Sequence, residues 1–106
     1  MSKTINRDEA ILIAEQFATH VKSEIDKDAK VYLFGSFARN EANSKSDIDI
    51  AVVSRVFGSD VSGDFGRLAV LAYHINSDIE AHPIIYEDWV DTTPFTDAIK
   101  KDGLLL

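Results

Sequence analysis

Apolar residues recur at helical spacing early in the chain. Ile11, Ala14, Ala18, Val21 and Ile25 fall on one stripe, Ile13 and Phe17 widen it, and Glu15, Gln16, Lys22 and Glu24 stay polar. Asn6 stands three residues before Glu9, the spacing of a capping box in which each side chain accepts from a backbone N–H left free at a helix start. The pattern predicts a helix that begins there and ends near Asp26. Lys30 to Phe34 is rich in β-branched and aromatic residues and halts at Gly35-Ser36, which predicts a strand and a sharp turn. Ser36 to Asn40 then opens a short helix. After the polar stretch Glu41 to Ser46, Asp47 to Ser54 predicts a second strand, with Ile48, Ile50 and Val52 on one face and Asp47, Asp49 and Ala51 on the other. A loop from Gly58 to Gly63 leads to a helix with Phe65, Leu68, Ala69, Ala72 and Ile75 as its stripe. A third strand runs from Ile79 to about Tyr86, and Pro83, which has no N–H, places it at an edge or ends its pairing. Pro94 to Lys101 forms a short helix stopped by Gly103. Leu104 to Leu106 either complete the sheet or, with the off-stripe Leu12, mark a partner surface.

Helices alternating with strands imply a small mixed β-sheet flanked by helices, an α/β or α+β fold. At 106 residues the chain is sized for one domain, residues 1–106, with a single core and no separate acceptor-binding domain. Its 45% apolar and 27% charged residues match a self-sufficient globular protein. The net charge of −7 withholds the general attraction that draws basic proteins to polyphosphate, so a long nucleic acid is a poor substrate. The absence of cysteine excludes disulfides, thiolate zinc sites and cysteine nucleophiles. No segment approaches the roughly 18 apolar residues of a membrane span, and a cytoplasmic location is the expectation.

Asp47 and Asp49, one residue apart on a strand, project from the same face about 7 Å apart at Cα. Hard cations such as Mg²⁺ take one or two carboxylates and leave positions for water and phosphate oxygens. Alone, such a pair is common on solvent-facing strands. Gly35-Ser36 ends the preceding strand at a turn where backbone N–H groups and a hydroxyl can hold phosphate. Gly35-Ser36-Phe37-Ala38-Arg39, followed by Ser46-Asp47-Ile48-Asp49-Ile50-Ala51-Val52-Val53, resembles the signature of the DNA polymerase β-like nucleotidyltransferase superfamily, and most of all its minimal branch.

The resemblance implies a site. Asp47 and Asp49 would bridge two Mg²⁺ ions, with Mn²⁺ as the alternative, and Glu80 would supply the third carboxylate, with Asp78 in reserve. Gly35, Ser36, Arg39 and Ser46 would hold the triphosphate of ATP, Ser46 otherwise bracing its loop. Two departures stand out: family members often carry aspartate where this chain has Glu80, and glycine where it has Asn40. Lys45 reads as a solvated loop residue. His82, two residues after Glu80, points to the same side and reads as a polar residue on a partly exposed strand, with a nucleotide or supporting role as the alternative. His20 and His74 read as structural or solvated, and no cluster of nitrogen ligands suggests zinc. Tyr86, Trp89 and Phe95 read as core fillers.

By resemblance the activity is transfer of AMP from ATP to an acceptor hydroxyl. In the minimal branch the typical partner is a small helical HEPN protein, often a toxin, which makes this chain an antitoxin that modifies or simply binds its partner. Two other readings stay open: a non-catalytic partner-binding module, and a small-molecule nucleotidyltransferase acting as a homo-oligomer.

Overall fold

The computed structural model describes residues 5–106, so the first four residues of the polar N-terminal stretch lie outside the described residues. Helix α1 spans Arg7–Glu24 and is capped as the sequence predicts, with Asn6 Oδ1 accepting from Glu9 N at 2.8 Å and Glu9 Oε1 accepting from Asn6 N at 3.4 Å. Strands β1 (Lys30–Phe34) and β2 (Ile48–Ser54) follow, then α2 (Val61–Ile75), β3 (Ile79–Ile85), α3 (Tyr86–Asp91), α4 (Pro94–Asp102) and β4 (Leu104–Leu105). The sheet order is β3-β2-β1-β4. Strand β1 is antiparallel to β2 and β4, and β2 is parallel to β3, a mixed sheet as expected. Leu104 and Leu105 therefore complete the sheet. Pro83 sits on edge strand β3 opposite Val52, where its missing N–H breaks no ladder to a second neighbour.

Alternation along the strands gives the sheet two apolar faces. Val31, Leu33, Ile48, Ile50 and Val52 meet Ala14, Phe17 and Val21 of α1 and Leu68 of α2. Phe17 is fully buried there, and truncating such a side chain to alanine costs about 3–5 kcal/mol. On the opposite face Ala51, Val53 and Ile84 pack with Trp89 of α3 and Ile99 of α4, beside Tyr32, Phe34 and Tyr86. This second core covers only part of its face. Beyond it the rows carrying Asp49 and Glu80 stand open.

Three local expectations are corrected. Helix α2 turns Asp64, Leu68 and Ala72 inward, whereas Phe65 is 49% exposed and Ala69 is exposed too. Asp64 reaches the core side because its carboxylate has a backbone to satisfy: Oδ2 accepts from Gly58 N at 2.9 Å, fixing the loop that enters the helix. Residues Ser36–Asn40 form one hydrogen-bonded turn rather than a helix. Arg39 N donates to Gly35 O and Glu41 N to Ser36 O, after which Asn40 takes the left-handed φ of 58° that its side chain tolerates. Helix α3 has no counterpart in the sequence reading, because Tyr86–Asp91 has neither a side-chain cap nor the length for a periodic stripe; burial of Trp89 against Tyr32, ring centroids 5.0 Å apart, holds it.

Candidate active site

Strand register builds the site. Phe34 of β1 lies opposite Asp49 of β2, and Asp49 lies opposite Glu80 of β3, so the three form one row across the sheet on the face bearing α3 and α4. His82 lies in the next row, opposite Ala51. Ligand atoms of Asp49, Glu80 and His82 all fall within 4.8 Å of one another. His82 Nε2 is 3.6 Å from Glu80 Oε1 and 3.9 Å from Asp49 Oδ1. The Asp49 side chain is 26% exposed and that of Glu80 55%. Glu80 thus stands beside Asp49, one of the two aspartates with which the resemblance grouped it.

The turn after β1 approaches this row directly. Gly35 has φ 75°, and a β-carbon there would overlap Oδ2 of Asp49, so only glycine lets the chain pass so close to the carboxylate. Two anchors hold the turn: Phe37 is buried in the first core, and Arg7 Nε donates to Phe37 O at 3.1 Å. Gly35, Ser36, Arg39, Asp49, Phe95 and Asp102 line an open cleft of about 460 Å³. A single turn carries a weaker dipole than a full helix, which leaves the Ser36 hydroxyl and the Arg39 guanidinium as the stronger polar groups of this turn. Arg39 Nε donates to Glu41 Oε1 at 2.6 Å, and that carboxylate holds the guanidinium's pKa above even its usual value. Arg39 also lines the cleft, and its guanidinium carries further N–H donors.

Asp47 falls outside the three-residue group. It precedes β2 rather than starting it, is exposed, and lines an adjoining cleft with Lys45, Ser46, Phe37 and Asp78. Ser46 Oγ accepts from Asn43 N at 2.9 Å, and Asn43 Oδ1 accepts from Lys45 N at 2.8 Å, so this serine braces its loop. Asp78 shares that adjoining cleft, away from Asp49; its backbone O accepts from Ile48 N at 2.8 Å.

The structure adds residues that sequence reasoning placed elsewhere. Phe95 is 46% exposed rather than core, with its ring 5.5 Å from Phe34 and 5.8 Å from His82 by centroid. Asp102, at the last turn of α4, joins the same cleft. His82 was legible from its spacing two residues after Glu80, as a residue on the same side of the strand. Phe95, Asp102 and Arg7 had no such signal, because separate elements bring them to the site.

Comparisons with known proteins agree with this geometry. Residues 14–88 match the family model described as a nucleotidyltransferase domain, a span that includes the Gly35 turn, Asp47, Asp49, Glu80 and His82. A protein of Methanocaldococcus jannaschii named "putative protein adenylyltransferase" is 28% identical over 97 residues, covering 91% of this chain and 97% of its own. A crystal structure of a "putative nucleotidyltransferase" from Sulfolobus solfataricus has the same fold, with a TM-score of 0.56, 23% identity, and coverage of 99% of this chain and 89% of that one. No helix among the described residues is long and apolar enough to cross a membrane. On the strength of the matched domain and of a glycine turn set against paired carboxylates, this chain belongs to the nucleotidyltransferase domain family, and its activity is nucleotidyl transfer.

Proposed function

We propose that this protein transfers AMP from ATP to a hydroxyl of a partner protein, as an antitoxin-type partner of a HEPN protein. The observation that carries the reading is the contact between the Gly35 turn and Asp49, which sets Ser36, Arg39 and Asp49 in one cleft, with Glu80 next to Asp49 on the neighbouring strand. The similarity to a protein whose name is that of an adenylyltransferase acting on protein supports the choice of AMP and of a protein acceptor. The net charge of −7 supports it too, since it gives little grip on a nucleic-acid acceptor.

The donor set fits divalent cations. Asp49 lines the cleft that must receive a triphosphate and Glu80 stands next to it on β3, and these negative charges would repel the triphosphate unless cations intervened. Asp47, Asp49 and Glu80 are the residues to hold Mg²⁺ or Mn²⁺. Bound there, the cations neutralise charge on the phosphates and make the acceptor hydroxyl more acidic. Ser36 Oγ and the Arg39 guanidinium hold the β- and γ-phosphates. The Asp49 row sets the α-phosphorus in line with the acceptor oxygen, whose bond to phosphorus forms as the bond to the bridging oxygen of pyrophosphate breaks. The acceptor proton passes to Glu80, the more exposed carboxylate and the one at the sheet edge where an acceptor can approach. Phe95 supplies an exposed ring over the cleft on which the base stacks.

The test is incubation with labelled ATP, Mg²⁺ and a candidate HEPN partner. Label should appear on a partner hydroxyl as one AMP per site and vanish with Asp49→Asn. Tight partner binding without label would favour the non-catalytic module. Label on an added tRNA or aminoglycoside and never on protein would overturn the acceptor while leaving nucleotidyl transfer in place.

A further inference from the structure

The distances around His82 are odd for a residue that merely fills a strand. At 3.6 and 3.9 Å from the Glu80 and Asp49 oxygens, Nε2 is too far to hydrogen-bond either, yet it points between them. Ligand bonds of about 2.0–2.2 Å put donor atoms about 3 Å apart on neighbouring positions of an octahedron and about 4.2 Å apart on opposite ones. The two His82 separations lie between those values, and all three donor atoms fall within 4.8 Å of one another, so small side-chain rotations bring them around a common centre. Phe34, edge-on to the imidazole at 5.2 Å, and Phe95 at 5.8 Å wall the ring and hold its direction. His82 side-chain exposure is 25%, against 55% for Glu80, so the imidazole is the less mobile donor of the two on β3.

We propose that His82 is a direct ligand of the ion held by Asp49 and Glu80, and that this mixed carboxylate–imidazole set makes the centre select Mn²⁺ over Mg²⁺. The proposal rests on the reading of this cleft as a metal-dependent nucleotide site. Magnesium favours oxygen donors in a near-ideal octahedron and gives up water reluctantly, so an imidazole gains it little. First-row transition ions accept imidazole nitrogen readily. A centre with carboxylates alone would show less of that distinction, since oxygen donors suit both ions.

The test is calorimetric titration of the nucleotide-free protein with MnCl₂ and, separately, MgCl₂, for wild type, His82→Gln and Asp49→Asn. Wild type should bind Mn²⁺ at least tenfold more tightly than Mg²⁺, since even an outer partner of a metal site is worth about 10- to 100-fold in affinity. In His82→Gln the Mn²⁺ affinity should fall about tenfold or more and the Mg²⁺ affinity stay within about twofold. Electron spin-echo spectra of the wild-type Mn²⁺ complex should carry coupling to a histidine nitrogen, a readout that needs no variant to fold. Absence of that coupling, or equal affinities for the two ions in wild type, overturns the proposal while a metal site that Asp49→Asn abolishes still stands. If neither ion binds wild type, the metal-dependent reading falls and the proposal with it.

Discussion

Gly35 lies against the carboxylate of Asp49 so closely that a β-carbon on residue 35 would overlap Oδ2 and come within 3.2 Å of Cγ. The phosphate turn and the acidic row therefore form one unit: the turn is where it is because residue 35 has no side chain, and Asp49 keeps its orientation because nothing displaces it.

Gly35→Ala should thus impair stability and activity together. The left-handed φ of 75° costs an L-residue about 1–2 kcal/mol, to which the overlap with Asp49 adds. Melting should fall by roughly 8 °C or more, and nucleotidyl transfer by at least tenfold, as read by thermal melts and label incorporation. Wild-type transfer in this variant would show that the turn and Asp49 act independently.

The two aspartates offer a sharper contrast. Asp49→Asn removes one of two neighbouring carboxylates and should abolish transfer, more than about 100-fold, while melting is unchanged or slightly raised by the relief of repulsion with Glu80. Asp47→Asn should do the same to transfer despite its position outside the Asp49–Glu80–His82 group. Retention of more than a tenth of wild-type transfer would remove Asp47 from the machinery and leave the other two in place.

Phe95→Ala tests the stacking surface. The side chain is 46% exposed, so melting should move by no more than about 5 °C, whereas loss of a base-stacking ring should weaken ATP binding about five- to thirtyfold. Unchanged ATP affinity by calorimetry would place the base elsewhere in the cleft.

A pH effect should come from the far end of β2. Ser54 Oγ donates to Asp26 Oδ2 at 2.6 Å and Asp28 N donates to Asp26 Oδ1 at 2.9 Å, and these bonds to the ionised form hold the Asp26 carboxyl below its usual 3.8. A depressed folded value means that the stabilisation is complete above about 4, the unfolded range, and is lost as pH falls through the lower folded value. Ser54→Ala should raise the Asp26 titration midpoint, followed by NMR of its carboxyl carbon. It should also cost about 1 kcal/mol at neutral pH, because Ser54 Oγ accepts from Val56 N as well. An unmoved Asp26 midpoint would sink this account.

How much of the site was legible in the chain differs residue by residue. Gly35, Ser36, Asp47 and Asp49 were singled out by the family-like text around them, since a glycine-serine turn and an aspartate pair are common by themselves; local spacing predicted the turn and Asp49 on its strand but wrongly put Asp47 on the strand with it. Glu80 could be read as a third carboxylate only through resemblance. Its place beside Asp49 depends on β3 pairing parallel with β2 in one register, which no local pattern specifies.

Amphipathic periodicity gave α1, β1, β2, β3 and α4 nearly to the residue, since burial of one face of each element leaves its period in the sequence. It misjudged the inward face of α2, where Phe65 and Ala69 share helical spacing with Leu68 and Ala72 but the sheet meets the side bearing Asp64. The one turn at Ser36–Asn40, helix α3 and the exposure of Phe95 escaped it as well, because each is settled by what packs against it. Local pattern in the chain was enough for the order of most elements and for the family-like text around Gly35 and Asp47-Ile48-Asp49. Strand register and packing settled that Phe34, Asp49 and Glu80 form one row, that His82 and Phe95 lie beside it, and that Asp47 stands apart. Strand register and helix docking bring together residues such as Phe34 and Phe95, 61 positions apart, and no period of two or 3.6 can encode contacts of that range.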